Sequence, residues 1–224
     1  LIYTIPNFQN PAGVSLSNER RRKLLALADE HNIPMIEDDF VGDLRFEGRV
    51  LPAIKALDPG GRVLYIGTYS KMLMPGLRMG YVVADGPIYN KLVNTNVVSN
   101  LTASPLIQRA LHEFMTVGRY QIHLRKSKKM YRKRRDALIT ALKGHFPEAE
   151  YTIPQGGLFC WVRLPAPIDT RALLPKAQQA GVEYAPGDQF FMEPRDGSRY
   201  IRLNFAVLDE EKIAEGIRRL AGVL

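Results

Sequence analysis

The chain has 224 residues, 46% of them hydrophobic and 24% charged, which is the composition of a globular protein with a sizeable core. No apolar run approaches the roughly 18 residues of a membrane span, so a membrane partner is excluded from the predictions. The single cysteine, Cys160, cannot form an internal disulfide and is expected to be a small core residue. A reducing, cytoplasmic location is therefore predicted.

The formal net charge is +8, and much of it lies in the stretch RKSKKMYRKRR at residues 125–135. This stretch could form a nucleic-acid-binding patch or the solvated face of a helix. Apolar residues recur through the region at helical spacing, which places the cations largely on the opposite side and favours the solvated face. These apolar residues are Tyr120, Leu124, Tyr131, Leu138 and Leu142.

The first half of the chain alternates short apolar runs, rich in β-branched residues, with helical patterns. Ser17 is suited to cap a helix over residues 17–32, and Glu19 suits its first turn. Strand, helix and strand in this order predict a parallel or mixed sheet covered by helices. Strands are predicted at residues 1–5, 34–39, 62–68 and 78–84, a short helical turn at 52–57 and a helix at 87–100.

The second half has shorter segments and predicts a small α+β domain. Ser104 and Pro105 open one helix, and a long basic helix follows from about residue 119 to residue 146. The predicted domains are residues 1–118 and 119–224. Further strands are predicted at 158–164 and 200–205, and further helices at 170–180 after Asp169 and from the cap Asp209 to about residue 220.

Polar side chains follow the first three predicted strands, and Arg78 begins the fourth. In open α/β sheets, ligands bind outside the carboxyl ends of the strands. An amide, a carboxylate, hydroxyls, the lysine Lys71 and an arginine could therefore meet at one edge. Pyridoxal phosphate needs such a set: a lysine for its aldehyde, a carboxylate for its ring nitrogen, hydroxyls and arginine for its phosphate, and an amide for its phenolate oxygen.

Six motifs in one order carry a resemblance to a known family. The sequence resembles the fold-type I, class I/II aminotransferases that depend on pyridoxal 5'-phosphate. It looks most like the branch of 2-aminoadipate and kynurenine aminotransferases, which includes the aminotransferase-like domain of MocR-type, GntR-family regulators. The motifs are PNFQNPAG (6–13), IEDDFVGDLRF (36–46), TYSKMLMPGLRMGY (68–81), PQGGLFCWVRLP (154–165), YAPGDQFF (184–191) and YIRLNFA (200–206).

The resemblance implies roles for individual residues. Lys71 would form the Schiff base with the cofactor and shuttle the substrate proton, and Asp38 would bind the pyridinium nitrogen. Arg202 would bind the substrate α-carboxylate. Asn10 would bind the phenolate oxygen and lie near the substrate carboxylate, and Thr68, Ser70 and Arg78 would hold the phosphate. No metal site is predicted, because His31, His112, His123 and His145 show no metal spacing and are expected at helix surfaces or ends.

The resemblance also implies the architecture. The chain would hold a partial large domain, with a mainly parallel sheet and flanking helices, and a small C-terminal α+β domain. Family members have well over a hundred residues ahead of PNFQNP, so the chain is expected to be truncated at its N-terminus. Family members also usually carry a tyrosine shortly after the aspartate, whereas Phe40 here lacks the hydroxyl.

Two functions follow from the resemblance. The first is a transaminase that moves an amino group between an α-amino acid and a 2-oxo acid, as a homodimer. The second is the effector-sensing domain of a MocR-type transcriptional regulator, which would bind DNA only if a winged-helix domain precedes this segment.

Overall fold

The computed structural model describes residues 1–224, which form two compact units. The first unit comprises Leu1–Asn7 and Ser15–Ser127, and the second comprises Phe8–Val14 and Lys128–Leu224. The division into domains at residues 118 and 119 stays a prediction. The boundary between the two units falls later in the chain, between Ser127 and Lys128, inside the long basic helix. No helix has the length and apolar character needed to cross a lipid bilayer.

The first unit is built on a four-stranded sheet with the strand order β1-β2-β3-β4. The pairs β1–β2 and β2–β3 are parallel, whereas β3–β4 is antiparallel. The sheet is therefore mixed, one of the two arrangements that the sequence pattern predicted. The strands are β1 (Ile2–Thr4), β2 (Met35–Asp39), β3 (Val63–Thr68) and β4 (Gly80–Val83).

Five helices follow the pattern predicted from capping residues and periodicity. Ser17 accepts a hydrogen bond from the Arg20 amide, and Ser104 accepts one from the Ile107 amide, so both predicted caps are present. The helices are α1 (Asn18–Glu30), α2 (Ile54–Leu57), α3 (Pro87–Asn100), α4 (Pro105–Thr116) and α5 (Arg119–His145).

The two faces of the first sheet have different environments. One face packs against α1 and α2 in a core of Leu25, Ala28, Met35, Ile54 and Val63. The other face carries the alternate residues of each strand, and it is more open, because Tyr3 is 58% exposed and Val82 is 51% exposed. The strand register aligns two rows on this open face, Tyr3–Ile36–Leu64 and Asp38–Ile66–Val82.

A buried carboxylate joins the sheet to α2. Ala53, at the start of α2, provides no side-chain cap. Glu37 of β2 accepts hydrogen bonds from the backbone amides of Ile54 and Lys55 at 2.9 and 2.8 Å and satisfies two donors of the first turn. Burial raises the pKa of Glu37 above its usual range.

The second unit contains an antiparallel sheet with the order β5-β6-β8-β7. Asp169 and Asp209 cap the two α-helices that follow α5 in this unit, as predicted. The strands β5 and β7 have two residues each and escaped prediction, because alternation needs a longer run to be visible. The elements are β5 (Glu150–Tyr151), β6 (Phe159–Arg163), α6 (Thr170–Gln179), β7 (Ala185–Pro186), β8 (Tyr200–Asn204) and α7 (Glu210–Ala221).

The basic stretch of α5 lies mainly on a solvated face. Arg125, Lys126 and Lys129 are exposed, whereas Leu124 and Leu138 of the apolar stripe are buried. Arg135 is an exception, because only 2% of it is exposed and its guanidinium donates to the Pro154 carbonyl at 2.6 Å. Buried guanidinium groups require acceptors, and a backbone carbonyl supplies one here.

Two glycines allow residues 8–14 to pack within the second unit. Phe8 is 2% exposed, and a Cβ atom on Gly157 would lie 2.6 Å from the Phe8 Cβ. A Cβ atom on Gly13 would lie 2.9 Å from the Phe159 carbonyl oxygen. Both glycines have positive φ angles, +73° and +68°, which other residues adopt at a cost.

We predict that Gly157→Ala destabilises the protein by about 2–4 kcal/mol, from the left-handed backbone and the contact with Phe8. The measurement is urea unfolding of the complete gene product. The matched control is Gly216→Ala in α7, where a Cβ atom meets nothing within 4 Å. Alanine there should raise stability by up to about 1 kcal/mol through helix propensity. Equal unfolding midpoints for the two variants would contradict the prediction.

Candidate functional site

Four of the predicted site residues belong to one edge of the first sheet. Asp38 is the next-to-last residue of β2 and Thr68 is the last residue of β3, and these strands run parallel. Strand β4 runs the other way and pairs Gly80 with Thr68, so Arg78, which precedes β4, lies at the same edge as the end of β3. The Tyr69 amide donates to the Met79 carbonyl at 3.0 Å and closes the loop that contains Ser70.

The two successive aspartates of β2 point to opposite faces of the sheet. Asp39 lies on the helix-covered face, where its carboxylate accepts hydrogen bonds from Asn7 Nδ2 at 2.9 Å and from the Tyr65 hydroxyl at 2.8 Å. Asp38 lies on the open face and accepts a hydrogen bond from the exposed Tyr3 hydroxyl at 2.5 Å. Asp39 is thus held within the protein, whereas Asp38 is the carboxylate offered to a ligand on the open face.

A buried arginine supports this arrangement, and the sequence pattern did not predict it. Arg21 of α1 is fully buried and donates to Asn7 Oδ1 at 2.6 Å and to the carbonyls of Pro6, Leu16 and Pro52 at 3.0 Å. Asn7 in turn donates to Asp39. Because Arg21 is one of three successive arginines in α1, its burial was not recognised from the sequence. Its spacing from Leu25 and Ala28 nevertheless places it on the apolar stripe.

The three predicted phosphate ligands line one open cleft of about 710 Å³. Thr68 Oγ1 accepts from the Ser70 amide at 3.1 Å, which fixes the turn after β3. Arg78 is exposed and has a left-handed backbone with φ of 49°, an uncommon conformation for a residue other than glycine. The cleft is also lined by polar residues of α3 and the segment after it, namely Asn96, Asn100, Thr102 and Ser104.

Lys71 is exposed and stands on a turn that is held on both sides. The Leu73 amide donates to the Tyr69 carbonyl at 2.8 Å across this turn. The next residue, Met72, is 4% exposed, and its carbonyl accepts from His123 Nε2 at 2.8 Å. His123 is therefore half-buried near the N-terminal end of α5, where it makes a structural contact. The other three histidines are exposed, and no group of three or more His, Cys, Asp or Glu side chains is arranged for a metal ion.

In the second unit, the structure brings Arg202 and Asn10 together. Arg202 Nη1 donates to Asn10 Oδ1 at 2.8 Å. Arg202 is half-buried and forms no ion pair with a carboxylate, and burial lowers the pKa of its guanidinium. A desolvated cation without a counter-ion is a favourable receptor for an anionic ligand.

Phe40, which follows β2, is half-buried. It can pack against its neighbours, but it offers no hydroxyl to a ligand at the open face. The departure noted in the sequence is therefore also a missing hydrogen-bond donor in the structure.

Comparisons with known proteins identify the family. The chain matches the family described as aminotransferase class I and II over residues 3–220 and belongs to that family. It is 42% identical to aromatic-amino-acid aminotransferase 1 of Thermococcus litoralis, over 99% of this chain and 53% of that protein. It is 35% identical to the HTH-type transcriptional regulator YdfD of Bacillus subtilis, over 98% of this chain and 45% of that protein.

Among solved structures, the chain is similar to the kynurenine aminotransferase of Pyrococcus horikoshii, solved in complex with PMP, KYN and KYA. The TM-score is 0.93 at 43% identity, and the match covers 99% of this chain and 55% of that one. The chain spans about half the length of the curated relatives it matches.

We predict that Asp39→Ala destabilises the complete gene product by about 2 kcal/mol, because Tyr65 and Asn7 would lose their acceptor inside the protein. Asp38→Ala should change stability by less than about 0.5 kcal/mol, because the hydrogen bond it removes is exposed. Urea unfolding without added ligand measures both variants. A larger loss for Asp38→Ala would show that the two side chains have exchanged faces.

Proposed function

We propose that the chain is part of a pyridoxal-phosphate-dependent aminotransferase that moves an amino group between an α-amino acid and a 2-oxo acid. The observation that carries the proposal is the meeting of Asp38, Thr68, Ser70 and Arg78 at one sheet edge, with an exposed Lys71 on the adjoining turn. The relatives named as aminotransferases and the neighbour solved with PMP support it.

The residues present fit this cofactor. A carboxylate on an open sheet face suits the ring nitrogen, so Asp38 would bind it. The hydroxyls of Thr68 and Ser70 and the guanidinium of Arg78 suit a phosphate, and they share one cleft. Asn10 would donate to the phenolate oxygen, and the Lys71 amine would bind the aldehyde covalently.

When bound, the cofactor supplies an electron sink for negative charge at the substrate α-carbon. The protein residues supply position and proton transfer. Asp38 would hold the ring nitrogen in its protonated form, and Lys71 Nζ would take up and return the proton of the α-carbon. Arg202 would hold the α-carboxylate, which every amino-acid and 2-oxo-acid substrate has in common.

A second function is favoured by one observation, the 35% identity with a transcriptional regulator over nearly the whole chain. In that case the same residues would recognise an effector, and turnover would be slight. The lack of a hydroxyl at Phe40 fits low turnover as well. The sequence ahead of Leu1 in the complete gene product discriminates the two, because a winged-helix domain indicates a regulator and a short arm indicates an enzyme.

We further propose that the first unit is part of the family's large domain and that the second unit is its small C-terminal domain. The functional form would be a homodimer located in the cytoplasm. The lone buried Cys160 is consistent with a reducing compartment. The open sheet face and the exposed strand β4 offer surface that further protein must cover.

We predict that Lys71 is the residue that binds the cofactor. The complete gene product, loaded with pyridoxal phosphate, should absorb visible light, and borohydride should fix the cofactor to the peptide that contains Lys71. Lys71→Ala should abolish this labelling, whereas Lys143→Ala, at an exposed position of α5, should leave it unchanged. Labelling of another lysine in the unmodified protein would refute the assignment and, with it, the proposed function.

We predict that Arg202→Ala weakens binding of amino acids and 2-oxo acids alike by about 10- to 100-fold, because it removes a hydrogen bond to a charged group. Arg202→Lys should be nearly as harmful, since an ammonium cannot form the two parallel hydrogen bonds of a guanidinium. Single-turnover kinetics against substrate concentration measure both variants. The control is Arg195→Ala, because Arg195 is largely exposed in the same unit. Unchanged saturation in Arg202→Ala would place the carboxylate receptor elsewhere.

A further inference from the structure

The rings of two phenylalanines lie close to the guanidinium of Arg202. Its central carbon lies 4.4 Å from the ring centroid of Phe159 and 5.1 Å from that of Phe190. Phe159 belongs to β6, whereas Phe190 ends a short 3-10 turn, Gly187–Phe190. Two separate elements of the second unit therefore hold the same cation, and both distances lie within the range of cation–π attraction.

The position of Arg202 in its sheet explains why aromatic rings surround it. Trp161 pairs directly with Arg202 across β6 and β8, and Phe159 pairs with Asn204 on the same face. The intervening residues Cys160 and Leu203 point into the core. The face that carries Arg202 is thus aromatic, and it leaves the cation half-buried without placing it in the core.

Two other arginines of the second unit, Arg163 and Arg171, meet carboxylates. Arg163 donates to Glu150 at 2.9 and 3.0 Å, and Arg171 binds both oxygens of Asp188 at 2.8 and 2.9 Å. Arg202 has only the neutral Asn10 and the two aromatic rings. Rings and amides restrain a guanidinium without neutralising its charge, whereas a carboxylate in their place would compete with an anionic ligand.

We propose that Phe159 and Phe190 are positioning residues for carboxylate recognition: they form a clamp that restrains the Arg202 guanidinium and keeps its charge available to the ligand. The inference rests on the proposed role of Arg202 as carboxylate receptor, but it is independent of the bond between Lys71 and the cofactor. The clamp lowers the cost of ordering a long flexible side chain when the ligand binds.

The test is the affinity of the complete gene product, free of cofactor, for 3-phenylpropanoate, a carboxylate without a reactive amino or oxo group. Calorimetry measures its Kd. Phe159→Leu should weaken binding about threefold to tenfold, from the loss of one cation–π contact. Phe159→Tyr keeps an aromatic face and should bind within about twofold of the unmodified protein. The matched control is Phe191→Leu, because Phe191 stacks on Trp161 and makes a tilted contact with Tyr200 in the same aromatic cluster.

A double-mutant cycle separates positioning from general packing. If Phe159 acts through Arg202, Phe159→Leu should cause no further loss in an Arg202→Ala background. An equal loss in both backgrounds, or no loss in the unmodified background, would overturn the proposal. Phe190→Leu, measured in the same two backgrounds, provides the test if Phe159→Leu lowers the thermal unfolding temperature.

The outcomes also separate this inference from the proposed function. If borohydride fails to label Lys71 but the coupling between Phe159 and Arg202 is intact, the proposed aminotransferase function is refuted and the proposed role of the two phenylalanines stands. Labelling of Lys71, with no coupling, would refute the clamp alone. If Arg202→Ala itself leaves the Kd unchanged, the carboxylate receptor and the clamp both fail.

Discussion

The alternation of side chains along β2 is the constraint on which the first unit depends. This strand ends in three successive carboxylates, Glu37, Asp38 and Asp39. Successive side chains of a strand point to opposite faces of the sheet, so neighbouring carboxylates have different partners. Glu37 enters the covered face and caps α2, and Asp39 follows it to bind Asn7 and Tyr65. Asp38 alone is directed to the open face. A slip of one residue would exchange all three environments, so the packing of this strand also selects the carboxylate that can meet a ligand.

The direction of β4 is the second feature of the fold that determines the candidate site. Three parallel strands bring only their own carboxyl ends to an edge, and Arg78 precedes a strand rather than following one. Because β4 is antiparallel, its beginning lies beside the end of β3, and Arg78 shares a cleft with Thr68 and Ser70. The short loop between these strands also holds Lys71, on a turn fixed by backbone hydrogen bonds. One reversal of the chain thus assembles a cation, hydroxyls and an exposed amine.

In the second unit, Arg202 is held by neutral groups, which do not neutralise its charge. Arg202 is half-buried, and an amide and two aromatic rings are its partners. This arrangement requires residues 8–14 to lie close to β6, and the glycines at 13 and 157 make that approach possible. The hydrogen bond between Arg202 and Asn10 therefore joins residues that are almost two hundred positions apart in the chain.

The sequence by itself determined the helices, the six longer strands, the caps and the family. Propensity, periodicity and capping depend on neighbouring residues, and the order of the motifs can be read directly along the chain. It also named the residue types of the candidate site. The tertiary structure decided which aspartate faces outward, that β4 runs antiparallel, that Arg21 and Arg135 are buried and that Arg202 lies close to two phenylalanine rings. Strands of two residues were equally hidden. These features depend on pairing register and on contacts between distant segments, and the free energy of such contacts is not encoded in any single stretch of the chain.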